Sequence, residues 1–496
     1  DVFFKSTWSA ETQSQSFYHL ACICTRKQEY SKALEFINNS LLRNYHNMKA
    51  RVLKAELMSL LDIDNKVFLK ECYEIDKLSV GILYQLGKPL GRTFNYLKLS
   101  IDYMQYGLYE KALDILEKCT DGNALAEYYK GYAEYKIGNI VKVYEHCKTA
   151  ETMPSDFIFP NTVEEMLILE NAILVLGNAP MASYYLGNLL YDKKQYKKAA
   201  ECWEKTVDLK PDFAMAYRNL SIAYYNKENN SEKAAAAIAK ACELEPDNSR
   251  FLLEQDQLSA KAGISAKKRL SVLEKHSELL EDRDVLYLAY ITLLNDNGQY
   301  EKALELLMSH TFHPWEGGEG KVANQYKTAL FALAEKEIAN GNYEKAIALC
   351  EKTISYPDNL GEGKLENVPD NKAHYLIGKC FKGLGSLDEA KEHFTLASAG
   401  SFVPEPVRYY NDQPSDYIYY KGLAFYELGD MSMAKKSFHQ LITFGERHIF
   451  DKIEYDFFAV SMPELEVYQD DIQKRNDDYC KYLTCLGKKG LTEIEQ

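Results

Sequence analysis

Seven times along the chain a residue is followed, twelve positions later, by an alanine, and six of the seven first members are small. The pairs are Ala21 and Ala33, Ser100 and Ala112, Gly187 and Ala199, Ala334 and Ala346, Gly378 and Ala390, and Gly422 and Ala434, with Ile291 and Ala303 as the exception. An apolar residue follows each alanine by four: Ile37, Leu116, Trp203, Leu307, Cys350, Phe394 and Phe438. Rings stand four places before the first member in several copies, as Phe17, Tyr96, Tyr287 and His374, with Tyr184 one place out of register. Turn phrases such as Gly107-Leu-Tyr-Glu-Lys-Ala112, Gly298-Gln-Tyr-Glu-Lys-Ala303 and Gly341-Asn-Tyr-Glu-Lys-Ala346 lie between the two positions. Small residues let two antiparallel helices approach closely while bulky neighbours fill the grooves beside them. One such helix pair cannot bury its apolar face alone, so the pattern predicts a stacked all-α array rather than a single central core.

The run Tyr184, Leu186, Gly187, Leu190, Tyr196, Ala199, Trp203 and Pro211 resembles the tetratricopeptide repeat (TPR), and Leu220, Ser221, Tyr224, Ala234, Ile238, Ala241 and Pro246 repeat it one residue longer. The resemblance implies a right-handed superhelical solenoid of helix-turn-helix repeats that binds partners on the concave surface made by the first helix of each unit. Carried over by position, that surface offers Met181, Tyr184, Asn188 and Tyr191, then Arg218 and Tyr225, and in later units Tyr375, Lys379 and Tyr419. Tyrosine and methionine at helical spacing are equally suited to packing.

Charge and cysteine content narrow the function. A formal charge of −14 leaves no basic stripe to meet phosphates, so nucleic acid is not an expected partner. Lysines alternate with acids, as in Glu110-Lys111 and Glu301-Lys302, which reads as solvated helix surface. The eleven cysteines lack any Cys-x-x-Cys or finger spacing and mostly fall on apolar faces. They are expected to be reduced thiols, pointing to a cytoplasmic setting without a metal site. The most apolar run, Met166 to Gly177, is interrupted by Glu170 and Asn171 and is too short to span a bilayer. No secretory signal pattern is visible, an absence of little weight in a chain that opens on Asp1 without methionine.

The phase of the repeats then locates what is unusual. Residues 1–153 read as repeat-like amphipathic helices, and Pro154 and Pro160 bracket a break that no helix traverses. Between 164 and 310 the units are regular, the turn positions Tyr196, Ser231, Ser265 and Tyr300 being 35, 34 and 35 apart. From 311 to 445 the spacing widens: Tyr300, Tyr343, Leu387 and Met431 are 43, 44 and 44 apart. Residues 446–496 read as a helical cap or truncated repeat. The extra residues sit in three loops, and insertions of this kind tend to emerge on one face, often the binding face.

Two of the loops, 312–321 and 356–364, end in the same phrase, Gly-Glu-Gly-Lys, from Gly318 and from Gly361; the third, 404–416, lacks it. Glycines there can simply serve turns, with Trp315 as a plug against the repeat below. As a ligand site, the loops bring aromatic faces and polar groups: His313, Trp315, Glu316, Glu319 and Lys321; Asn359, Glu362 and Lys364; Tyr409, Asn411 and Asp412. Such groups suit a sugar ring or a peptide side chain. A nucleotide P-loop fails on spacing, and His310 with His313 has no His-Glu-x-x-His arrangement, so no cofactor or metal is expected. Paired acids of a helical glycosidase would be drawn from Glu316, Glu362, Asp412 and Asp456, although the open-ended register argues against a closed toroid.

Longer phrases carry a second resemblance. Thr7-Trp8-Ser9-Ala10, His313-Pro-Trp-Glu-Gly-Gly-Glu-Gly-Lys321, Tyr356-Pro-Asp-Asn-Leu-Gly-Glu-Gly-Lys364 and Asp456-Phe-Phe-Ala-Val-Ser-Met-Pro463 resemble the carboxy-terminal half of large bacterial proteins that join a mutarotase-like β domain to a TPR array. That resemblance implies a carbohydrate-related setting. The expectation is a non-enzymatic binding or scaffolding module whose partner is a protein, a peptide or the β domain of its parent chain. The alternatives are direct carbohydrate binding by the loops and, third, a helical glycoside hydrolase.

Overall fold

The computed structural model describes the chain apart from residues 316, 365–367, 369, 405–413, 455–466 and 496. Every regular element among the described residues is a helix, and successive helices pair as antiparallel hairpins. Second helices of the hairpins begin at Tyr196, Ser231, Ala266, Tyr300, Tyr343, Leu387 and Met431, so the phase read from the sequence falls on helix starts. Only Ser265 differs, standing one place earlier as the N-cap. Gly298 and Gly341 end the first helices of their hairpins at φ of +75° and +76°, a left-handed conformation that a Cβ would strain.

The twelve-residue interval has a direct packing cause. A Cβ on Gly187 would lie 2.5 Å from the Trp203 indole nitrogen, one on Gly378 2.7 Å from Phe394, and one on Gly422 2.6 Å from Phe438. Each small residue therefore receives the ring sixteen places ahead, and the intervening alanines Ala199 and Ala434 are fully buried. Ile291 breaks the small-residue rule and is itself fully buried. An additional hairpin, Ala124–Ile137 with Ile140–Ala150, escaped the pattern because Val143 stands where the other copies have alanine. Its Gly131 nonetheless meets Cys147 in the same way.

Two compact units, Asp1–Leu220 and Ser221–Gln496, divide the chain within the helix Ala214–Glu228. In the first unit, the proline-flanked break runs from the end of the helix Ile140–Ala150 to the start of Val163–Leu176. Glu151, at that break, accepts from the backbone N–H of Met181 at 2.8 Å and of Ala182 at 2.9 Å, and from the Tyr128 hydroxyl at 2.7 Å. It thereby satisfies orphan donors at the start of the helix Pro180–Asp192. In the second unit, Met431–His448 and Ile472–Glu495 cross closely where Gly445, Gly487 and Gly490 remove side chains, with Gly487 against the Phe438 carbonyl.

All eleven cysteines are free, and burial pushes thiols such as Cys350 up to about 12, which removes their nucleophilicity at neutral pH. Among the described residues no helix is long and apolar enough to cross a membrane, and no group of three or more His, Cys, Asp or Glu is placed to hold a metal ion.

Candidate functional site

The two glycine-bearing loops, 35 or more residues apart in sequence, are stacked on one another in the second unit. The Phe312 N–H donates to the Asn359 carbonyl at 2.8 Å, and the Asn359 side chain donates back to the carbonyls of Leu307 and His310, both at 2.8 Å. Gly361, at φ +71°, lies so close beneath Phe312 that a Cβ would come within 2.5 Å of its carbonyl oxygen. Glu362 reaches across to the start of the helix Lys321–Ala339, accepting from the Gly320 N–H at 2.5 Å and the Ala323 N–H at 3.2 Å. A carboxylate there satisfies orphan donors and meets the positive end of the helix dipole. Asn359 and Glu362 thus spend their polar groups on the backbone. Lys364 pairs with Asp370 at 2.5 Å.

His313 is held from the other side by Asp284, which the sequence pattern did not single out. Asp284 accepts from the His313 N–H at 2.7 Å and bonds to the His310 ring at 2.8 Å. Burial pushes this carboxyl up, but the bonds from His310 and from the His313 backbone and ring outweigh it, leaving Asp284 below the usual aspartate range. Trp315 is half-buried, with its ring over Gly318, and borders two cavities. One, of about 370 Å³, is lined by His313, Trp315, Glu319, Leu360 and Glu362 among others. The second, of about 490 Å³, places Trp315 and Lys321 opposite Gln257, Lys261 and the ion pair of Asp256 with Arg269. Glu316, Tyr409, Asn411 and Asp412 lie outside the described residues, as does Asp456.

Of the third insertion, 404–416, Pro404 and residues 414–416 are described, and the helix that follows it, Tyr417–Glu427, carries a residue that no spacing marked. Lys421 is buried beneath the Phe402 ring, 3.8 Å from its centroid, and donates to the Gly400 carbonyl at 2.5 Å. Burial, followed by repulsion from Lys436, pushes its ammonium down to about 8.

The first-helix residues read from the repeat pattern fall into separate clusters. In the first unit, Trp203 gathers three of them: its indole N–H donates to Asn188 at 3.1 Å and to the Tyr184 carbonyl at 3.3 Å, and Tyr191 packs 5.4 Å from its ring. Asn219 donates to the same Asn188 oxygen at 3.1 Å, and Arg218 lies beside Asn219. Met181 is buried and gives its backbone N–H to Glu151. In the second unit, Tyr375 packs on Phe394 and Tyr420, Lys379 lies above the Tyr375 ring, and Tyr419 donates to Glu493 at 2.6 Å.

Tyr225 has a different neighbour. Its ring meets Tyr468 edge-on, 5.4 Å between centroids, because residues Val467–Asp470 run against the helix Ala214–Glu228. The Asn226 side chain donates to the Val467 carbonyl at 2.8 Å and accepts from the Gln469 N–H at 2.8 Å. Tyr468 is fully buried, its hydroxyl 2.8 Å from Ser221 Oγ. The Ser221 hydroxyl gives its single proton to the Ala234 carbonyl at 2.8 Å, so Tyr468 must be the donor to Ser221. Lys261, in the next first helix, Ser249–Lys261, pairs with Asp470 at 2.5 Å. Sequence reading missed this segment, because Tyr468 belongs to no repeat position.

Residues 187–228 match a TPR repeat family, and 372–398 and 416–443 match tetratricopeptide repeat families. Solved structures that the chain matches include MamA, residue 41 to the end, from Desulfovibrio magneticus RS-1, 23% identical over 38% of this chain and 95% of its own, TM-score 0.24. Yeast Tom70 is 13% identical over 79% and 91%, TM-score 0.25. YrrB, described as a TPR protein with an unusual peptide-binding site, is 16% identical over 51% and 96%, TM-score 0.18. The repeat matches, not these superpositions, establish tetratricopeptide units in the chain.

Proposed function

We propose that this chain is a non-enzymatic binding and scaffolding module whose first-helix surface takes an extended polypeptide segment. The observation that carries the reading is the pair of 2.8 Å bonds by which Asn226 spans the main chain of Val467 and Gln469. A side-chain amide that donates to one carbonyl and accepts from an N–H two residues on recognises extended backbone, whatever side chains it bears. Repeats of this family serve generally as interaction scaffolds. A labelled peptide spanning residues 464–471 should bind saturably to the chain when Tyr468→Ala and Asp470→Ala free the surface, and Asn226→Ala should abolish that binding. Retention of binding by the Asn226 variant would overturn the assignment of the surface.

The first unit supports a larger partner as well. Ile140, Val141 and Tyr144 on one helix and Val163, Leu167 and Leu174 on the helix packed beside it are exposed, as are Phe157 and Phe159 between them. Apolar exposure on this scale marks protein docking surfaces. The occupant proposed for it is the β domain of a parent chain of the kind this sequence resembles. Loss of an isolated β domain's binding on Val163→Asp with Leu167→Asp would support that assignment.

A second reading, sugar binding at the loops, rests on Trp315 between its two cavities. In this reading Glu319 lines the cavity beside Trp315 as a polar contact, whereas Asn359 and Glu362 are committed to the backbone and His313 to Asp284. Titration of indole fluorescence with a glycan panel, Trp315→Ala serving as control, tests it. A carbohydrate-related parent protein is part of the same proposal.

A further inference from the structure

Resting on the peptide-binding reading, we infer that the surface around Ser221, Asn226 and Lys261 selects a tyrosine followed two residues later by an acidic residue. We further infer that Val467–Asp470 is its resident occupant, displaced by a partner segment with the same pattern. Three contacts, each with its own chemistry, specify that ligand. Asn226 holds the main chain on both sides of the tyrosine and sets the register. Ser221 sits at the position that glycine takes in other repeats, so it leaves room for a ring, and its committed proton makes it an acceptor for a hydroxyl. Phenylalanine would fill the slot but leave that acceptor without its donor, and burial makes such a loss costly. Lys261, whose side chain is only 13% exposed, then takes the carboxylate at 2.5 Å, an ion pair partly withdrawn from water.

The local cation matters because the chain as a whole repels acidic ligands, at a formal charge of −14. Selection of an acidic segment therefore comes from Lys261 at short range, not from long-range attraction. Beyond Asp470 the resident chain turns into the helix Ile472–Glu495 and leaves open the cavity of about 490 Å³ toward Trp315. An incoming segment that continues straight on has that space available, with Arg269, Gln257 and Lys321 along it. Its additional contacts are what offset the advantage of a tethered competitor, whose effective concentration is high.

The experiment measures fluorescence anisotropy of the labelled 464–471 peptide with the full chain. The released chain, Tyr468→Ala with Asp470→Ala, should bind at least about tenfold more tightly than the unaltered chain, because the binding-competent fraction rises. Replacing the peptide's tyrosine by phenylalanine should weaken binding about fivefold, and replacing its first aspartate by lysine should weaken it more. Equal binding by the unaltered and released chains would overturn self-occupancy while leaving the peptide surface standing. Absence of binding to a released chain that keeps its helical spectrum and cooperative melt would overturn the peptide-binding reading itself. Hydrogen exchange on the unaltered chain gives a readout that needs no substitution: excess peptide should lower amide protection at residues 467–470. Unchanged protection at saturating peptide, or a released variant that no longer folds, would show a fixed strap and overturn displacement.

Discussion

Two tryptophans in this protein lie over a glycine, and they end in opposite circumstances. Trp203 in the first unit packs where Gly187 lacks a side chain, is 3% exposed and has its N–H satisfied by Asn188 and the Tyr184 carbonyl. Trp315 in the second unit covers Gly318 but keeps open space along its ring, between cavities of about 370 and 490 Å³. The same device, an indole accepted by a missing Cβ, closes a helix pair in one place and builds a wall in the other. What separates them is the surroundings: two helices enclose Trp203, whereas loops held together by main-chain bonds enclose Trp315.

The largest expected effect tests that contrast directly. Trp203→Ala should destabilise the first unit by about 3–5 kcal/mol, a loss typical of emptying an aromatic core site, as read from urea denaturation. Trp315→Ala should cost far less, and an equal cost would make it a core plug and remove it as a ligand wall. Next comes the contact that stacks the loops. Gly361→Ala adds a side chain at φ +71° against the Phe312 carbonyl and should cost roughly 1–3 kcal/mol. Gly363→Ala, two residues away with open space around it, should stay within about 0.5 kcal/mol.

The helix after the third insertion provides a pH test. Lys421 titrates near 8 in the folded chain against 10.5 unperturbed, so between those values the unfolded chain binds more protons. This group's contribution to stability therefore rises with pH across the window from about 8 to 10.5. Thermal melts at pH 7.5 and 9.5 should show the unaltered chain gaining about 1–2 kcal/mol relative to Lys421→Met. A constant difference would mean that Lys421 keeps an ordinary ammonium. A smaller effect is expected at the cap: Glu362→Ala should cost about 1 kcal/mol, with Glu362→Gln intermediate, measured by the same melts. A larger loss from Glu362 than from Gly361 would show that capping, rather than close approach, holds the loop pair.

Much of the fold was legible because its determinants repeat. Tyr300, Tyr343, Leu387 and Met431 were readable as turn positions from spacing alone and prove to be helix starts, and the Gly187 and Trp203 pairing follows from size at fixed intervals. The hairpin at Gly131 was not, since Val143 replaced the alanine that marks other copies. The candidate site was legible only as a location. That Trp315 and His313 border one cavity with Glu362 emerged from the loops stacking, and Asp284 entered through bonds that no local pattern announces.

By itself, then, the sequence determined what short-range rules can encode: helices from apolar periodicity, close pairing from small residues, turns from glycine, and the places where extra residues interrupt the register. Tertiary structure decided what each exceptional side chain does. Glu362 and Asn359, which read as ligand groups, are used up by backbone donors and acceptors, because burying a loop pair requires its main chain to be satisfied first. Tyr468 meets Ser221 across 247 residues of chain. A contact of that span leaves no periodic trace; only the folded path sets that extended segment against a first helix, with the Asn226 amide on its main chain.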